Sequence, residues 1–203
     1  MDAGITGFAS YSQKKVQADN ISVEHVALQT MGKTMKITRC RGNIILDLDQ
    51  AGATGLLLEL IQNKQNALIS KDETFYLGIY APGEVNDDKS KMTVCRVTSG
   101  DPSRGNMSVD TTIDLQEGQV VQFMRRTQVA NSDLLKSGKE DFLVLGVSDK
   151  DTTIDAFPVS PPSESQALVG VVGGSSENGV IVGKPGMQSQ IMDVPYSKVT
   201  VDT

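Results

Sequence analysis

The chain contains one histidine, His25, and two cysteines, Cys40 and Cys95, among 25 acidic and 19 basic residues. These totals bound the chemistry its side chains can perform. One imidazole excludes every histidine-rich active site, and one imidazole with two thiols leaves too few ligands for most zinc sites. A serine–histidine–acid set would have to use His25, yet no serine here is framed as Gly-x-Ser-x-Gly. Both cysteines lie in strand-like stretches, ITRC and MTVCRV, where small buried or half-buried thiols are ordinary. A disulfide using Cys40 and Cys95, within or between chains, is the alternative. Arg39 and Arg41 flank Cys40, and cations depress a thiol pKa, but sequence neighbours on a strand point to the opposite face.

The remaining candidates are carboxylates, amides and glycines. Asp47 and Asp49 lie two apart, beside a helix start, in the spacing of a cation site or an acid/base pair. Turn and capping chemistry uses the same residues, and Asn43 in the Gly42-Asn43 turn is read the same way. In LVGVVGGSSENG, the run Gly173, Gly174, Ser175, Ser176 and Asn178 follows an apolar stretch. A glycine-rich loop there would cradle an anion with its amides, or simply connect two strands as a hairpin. Asn43, Asp47, Asp49, Gly173, Gly174, Ser175, Ser176 and Asn178 are therefore the candidate ligand-binding set. No catalytic residue, metal site or cofactor is assigned. Gly32-Lys33-Thr34 has the ending of a phosphate-binding loop, but position 27 is Ala where that loop needs Gly, and a strand pattern follows.

Composition removes further classes. The net charge of −6 and pI near 4.8 oppose general nucleic-acid binding, which needs a basic surface, and electrostatic attachment to anionic lipid. No apolar run approaches the roughly 18 residues that span a bilayer. The start, MDAGITGFASYSQKK, has no basic-then-apolar leader pattern. A cytoplasmic chain is expected, a mature form processed from another compartment being the alternative.

The elements that position these residues follow from periodicity. Residues 1–30 read as an N-terminal arm or edge element, and 31–203 as one domain. Met31-Gly32-Lys33 reads as a turn. Met35, Ile37 and Arg39 alternate with polar neighbours as a half-buried strand. Ile44 to Leu48 is a short strand, broken at Asp49-Gln50-Ala51-Gly52. From Ala53 to Asn66, Leu56, Leu57, Leu60 and Ile61 share a helical face. Thr74–Tyr80, Met92–Thr98 and Gln119–Arg125 are strands by composition, and Thr127–Lys136 reads as a second short helix, N-capped by Thr127. Phe142–Val147 is a nearly continuous apolar run, as in a central strand. Leu168–Val172 and Gly179–Gly183 are strands around a GGSSEN loop, and the tail adds an edge strand. The expected fold is a single α+β domain, with a largely antiparallel or mixed sheet and two short helices.

Two stretches, KITRCRGNIILDLDQAGATGLLLEL (36–60) and DTTIDLQEGQVVQFMRRTQVANSDLL (110–135), resemble the C-terminal domain of FIST (F-box and intracellular signal transduction) proteins. The matching positions are Ile37, Thr38, Gly42, Asn43, Ile45, Leu48, Asp49 and Ala53, then Glu117, Gly118, Val121, Gln122, Phe123, Arg125 and Asp133-Leu134. The likeness spans Met35 to about Gly183. It implies a non-enzymatic sensory or recognition domain that binds a small ligand, such as an amino acid, or a protein partner. A self-assembling protein, joined by edge strands or by its cysteines, is the alternative, so a homo-oligomer is a further expectation.

Overall fold

The structure, a computed structural model, describes residues 21–62, 73–80, 92–127, 142–147, 171–176, 178–182 and 190–202. Among these residues it is mostly β with one short helix, and the strands close into a barrel, which overturns the expected α+β sheet. The first helix is present as α1 (Ala53–Gln62). The second, expected at Thr127–Lys136, falls outside the described residues beyond Thr127.

Strands β1 (Ile21–His25), β2 (Leu28–Arg41), β3 (Ile44–Leu48) and β4 (Ala51–Gly52) precede α1. After it come β5 (Phe75–Ile79), β6 (Thr93–Gly100), β7 (Met107–Asp110) and β8 (Val120–Arg126). β9 (Phe142–Val147), β10 (Val171–Ser176), β11 (Val180–Val182), β12 (Gln190–Met192) and β13 (Ser197–Asp202) complete the order. The residue 30/31 boundary expected from the sequence lies inside β2.

Six strands close into an antiparallel barrel in the order β2-β8-β5-β6-β7-β3 and back to β2. β8 returns beside β5 after the β5–β6–β7 meander, which is a Greek key. Closure rests on the length of β2. Leu28 to Lys36 pair with β8, and Ile37 to Arg41 pair with β3, so one bent strand serves two neighbours. The bend is the register shift between Met31 and Met35, where Gly32 adopts φ 64. The Met31-Gly32-Lys33 segment is therefore a bulge within a strand, because the ladder with β8 resumes on its far side. A sheet closed on itself has no free edge to leave unpaired, and closure makes a barrel of strands expected to form one sheet of an α+β domain.

The interior follows from the period of two. Met31, Met35, Ile37, Ile45, Leu48, Leu77, Ile79, Cys95, Met107, Val109, Val121 and Phe123 are buried in one cluster with Ala53 and Leu57 of α1. Side chains fill the barrel, as in other small barrels. The opposite faces of β5, β6 and β8 carry Tyr76, Tyr80, Val94 and Met124, buried in a second cluster with Met92 and Val194. β5 and β8 are thus buried on both sides.

A four-stranded sheet, β1-β13-β9-β10, stands apart from the barrel ladder. β9 lies between β13 and β10, parallel to β10 and antiparallel to β13. β13 lies between β1 and β9, so the tail is an inner strand and not the expected edge. The β11–β12 ribbon contributes Val180, Val182 and Met192 to a third cluster with Val147 and Val199.

Candidate functional site

The expected site residues are dispersed over the barrel, the four-stranded sheet and the approach to the β11–β12 ribbon. Asn43 sits in the two-residue turn between β2 and β3. Its Nδ2 donates to Val109 O at 3.1 Å, and its carbonyl accepts from Val109 N at 3.1 Å. Asp49 lies at the other end of β3, about 20 Å away along an extended strand. Asp49 and Gln50 take φ 48 and 67 and join Leu48 to Ala51 in a two-residue hairpin, the left-handed pair of a type I′ turn. Asp49 Oδ1 accepts from Lys36 N at 2.9 Å, and Gln50 N donates to Thr38 Oγ1 at 3.0 Å. Asp47 Oδ2 pairs with Arg39 Nε at 2.8 Å. These groups fasten the β3–β4 hairpin to β2. Among the described residues, no group of three or more His, Cys, Asp or Glu side chains is placed to hold a metal ion.

Gly173, Gly174, Ser175 and Ser176 are strand, not loop. They pair in parallel with Val144, Leu145, Gly146 and Val147, so their backbone is committed to the ladder with β9. Asn178 lies just before β11. This group and the β2–β3 residues belong to different sheets.

Both thiols are free. Cys95 is in the barrel interior, and burial pushes its pKa up to about 11, against a weaker opposing hydrogen bond from Thr111. Cys40 is half-buried and its Sγ donates to Leu115 O at 3.4 Å. Burial, and secondarily the Glu117 carboxylate, raise its pKa as well. Neither environment activates a thiolate. His25 Nδ1 and Ser197 Oγ share a hydrogen bond at 2.6 Å across the β1–β13 ladder. Ser197 is 1% exposed, so its hydroxyl is out of reach of a substrate. Burial lowers the His25 pKa to about 4.

One end of the barrel differs from the rest. Antiparallel pairing brings the end of β6 and the starts of β2 and β5 to the same mouth as the end of β8. α1 is laid along this mouth. Thr54 N donates to Gly105 O at 2.9 Å, Thr54 Oγ1 donates to Asn106 O, and Gly52 and Gly105 touch backbone to backbone, a Cβ on either falling 2.9 Å from the other's Cα. At the far end of the helix, Leu60 lies against Gly32. At this mouth, Arg125 stands opposite both Gln29 and Phe75 in register. Phe123, Met31 and Leu77 two positions away face inward, so alternation places these three on the inward-facing side of their strands as a rim layer, with Gln29 exposed and Arg125 and Phe75 half-buried. Arg125 Nη2 donates to Gln29 Oε1 at 3.4 Å, and Arg125 Nε is buried without a hydrogen-bond partner. The sequence held a signal for this layer: Val121, Phe123 and Arg125 alternate along one face, and the stripe ends on a charge.

No protein-family model, curated protein or solved structure matches this chain. No helix among the described residues is long and apolar enough to cross a membrane.

Proposed function

We propose that this chain is a non-enzymatic recognition domain that takes a small ligand at the α1-capped mouth of its barrel. The observation that carries the reading is the rim layer, where an exposed Gln29 and a half-buried Arg125 meet at the barrel mouth above layers that are otherwise apolar. Because side chains fill the interior, a ligand is placed at the rim, and barrel mouths are common sites for small molecules. The resemblance of residues 36–60 and 110–135 to FIST C-terminal domains supports a sensory role. A thermal-shift screen with amino acids and small metabolites tests the proposal, since binding to the native state raises the melting temperature. Stabilisation that disappears in Gln29→Ala is expected. A melting temperature that no compound raises at high concentration refutes it.

One observation favours a second reading, self-assembly. Ile181 and Ile191 are directly paired across the β11–β12 ribbon and are 72% and 50% exposed, on the face where alternation ordinarily places polar residues. Light scattering of the native chain and of Ile181→Lys tests this. A monomer in both, unchanged by reducing agent, sinks it.

A further inference from the structure

We propose that Arg125 anchors a carboxylate, so that the ligand of the rim site is a small monocarboxylate with an apolar body. This rests on the rim-site reading and adds the chemical class. A guanidinium is always charged and carries five donors. Arg39, Arg96 and Arg104 each face an aspartate, at 2.8, 3.6 and 3.7 Å. Arg125 forms no ion pair among the described residues. Among the described residues its one polar partner is the neutral Gln29 oxygen, at the long distance of 3.4 Å, and its Nε is buried with no acceptor. The residue itself is half-buried, and a buried orphan donor such as its Nε is the kind of group that a bound ion or molecule explains.

The geometry selects the anion. Nε and Nη2 form one planar edge of the guanidinium, and a carboxylate accepts from such an edge through two parallel hydrogen bonds. The neutral Gln29 amide leaves the single positive charge of Arg125 to be balanced by one negative charge, which fits a monoanion better than a phosphate dianion. Phe75, half-buried and directly opposite Arg125, offers an apolar wall beside that edge. A compact apolar group attached to the carboxylate would lie on this wall.

The test uses the full chain with phenylacetate, its neutral isostere phenylacetamide, and inorganic phosphate as probes. Phenylacetate is expected to raise the melting temperature and phenylacetamide to leave it unchanged. Affinity should fall about ten- to a hundred-fold in Arg125→Gln, the usual worth of a charge-assisted hydrogen bond, and should be partly retained in Arg125→Lys. Should either variant fail to fold, the Nε–H resonance of Arg125 in the native chain gives the answer, because saturable movement on titration with phenylacetate is expected. Equal response to phenylacetate and phenylacetamide, full binding by Arg125→Gln, an unmoved Nε–H resonance, or response to phosphate alone would each overturn the carboxylate assignment. If a neutral compound from the metabolite screen binds native chain and Arg125→Gln alike and loses its effect in Gln29→Ala, the rim site stands and the assignment to Arg125 falls. If nothing binds at the rim, both fall.

Discussion

Acid should unfold this protein in part through a single residue, His25. It ends β1 on the face that carries Val23, which packs with Val199 against the third cluster, and its register partner is the buried Ser197. The neighbouring pair, Glu24 and Lys198, joined at 2.7 Å, lies on the other face of the ladder. Burial is therefore the cause of the shift, and it lowers the imidazole pKa from 6.5 to about 4. The sign follows directly. Between these two values the unfolded chain binds a proton that the folded chain rejects, so stability rises with pH across that window. The contribution is whole above pH 6.5, falls by about 1.4 kcal/mol per pH unit, and is lost near pH 4, a total of about 3 kcal/mol. The hydrogen bond itself survives protonation, since Nδ1–H can then donate to Ser197 Oγ, and the loss is one of desolvation. Urea unfolding followed by far-UV circular dichroism, from pH 7.5 to 4, measures the effect in the native chain and in His25→Gln. The difference between the two curves should change by about 3 kcal/mol over the range, whatever constant offset the substitution adds. Parallel curves would refute the reasoning.

Three other outcomes follow from the packing. In Cys40→Ser, the Cys95 thiol should resist DTNB at pH 8 until the chain unfolds, because with a pKa near 11 only about one molecule in a thousand is thiolate; labelling at the rate of a free thiol would contradict its burial. Gln50→Gly should stabilise the chain by about 0.5–1 kcal/mol, since Gln50 holds φ 67 and glycine enters that region without the Cβ penalty; a lowered urea midpoint would argue against the left-handed turn. Val194→Ala should cost about 2 kcal/mol, because Val194 is buried among Tyr76, Tyr80, Met92, Val94 and Met124. A loss below about 0.5 kcal/mol in urea unfolding would show that the tail does not cover the barrel wall.

What was legible in the sequence was local. The Gly42-Asn43 turn, the break at Asp49-Gln50, the helix from Ala53 and the strands around Phe75–Ile79 and Val120–Arg126 are each set by neighbouring residues. What escaped depends on partners far along the chain. Gly32 signals a turn because its φ is positive, but whether the chain reverses there or bulges is decided by β8, some ninety residues later. The Gly-Gly-Ser-Ser segment has loop composition, yet the parallel ladder with β9 makes it strand. The terminal strand looked like an edge because the sequence does not disclose that β1 pairs on its outer side. The expected site residues are dispersed for a related reason: Asp47, Asp49 and Asn43 tie turns to β2 and β7. Arg125 belongs to a strand motif, and its place at the end of the Val121–Phe123 stripe marks it as a rim residue.

The same alternation explains how one strand serves both halves of the molecule. Along β8, Val121, Phe123 and Arg125 belong to the barrel interior and its rim. Val120, Met124 and Arg126 belong to the outer face, where Met124 packs with Val194 and the Arg126 guanidinium lies 5.3 Å from the centre of the Tyr196 ring. One residue later, Thr127 N and Oγ1 both donate to Ala27 O, at 2.7 and 3.1 Å, in the turn that joins β1 to β2. The rim layer thus shares its backbone with the junction to the four-stranded sheet. A slip of one residue in β8 would put the Arg125 charge into the outer apolar cluster and lift Met124 to the rim. Two ladders prevent it: Leu28 to Met31 on one side and Phe75 to Ile79 on the other pair with β8 without a register shift. The bulge in β2 begins only after Met31, beyond the stretch where register decides which side of the wall Arg125 occupies.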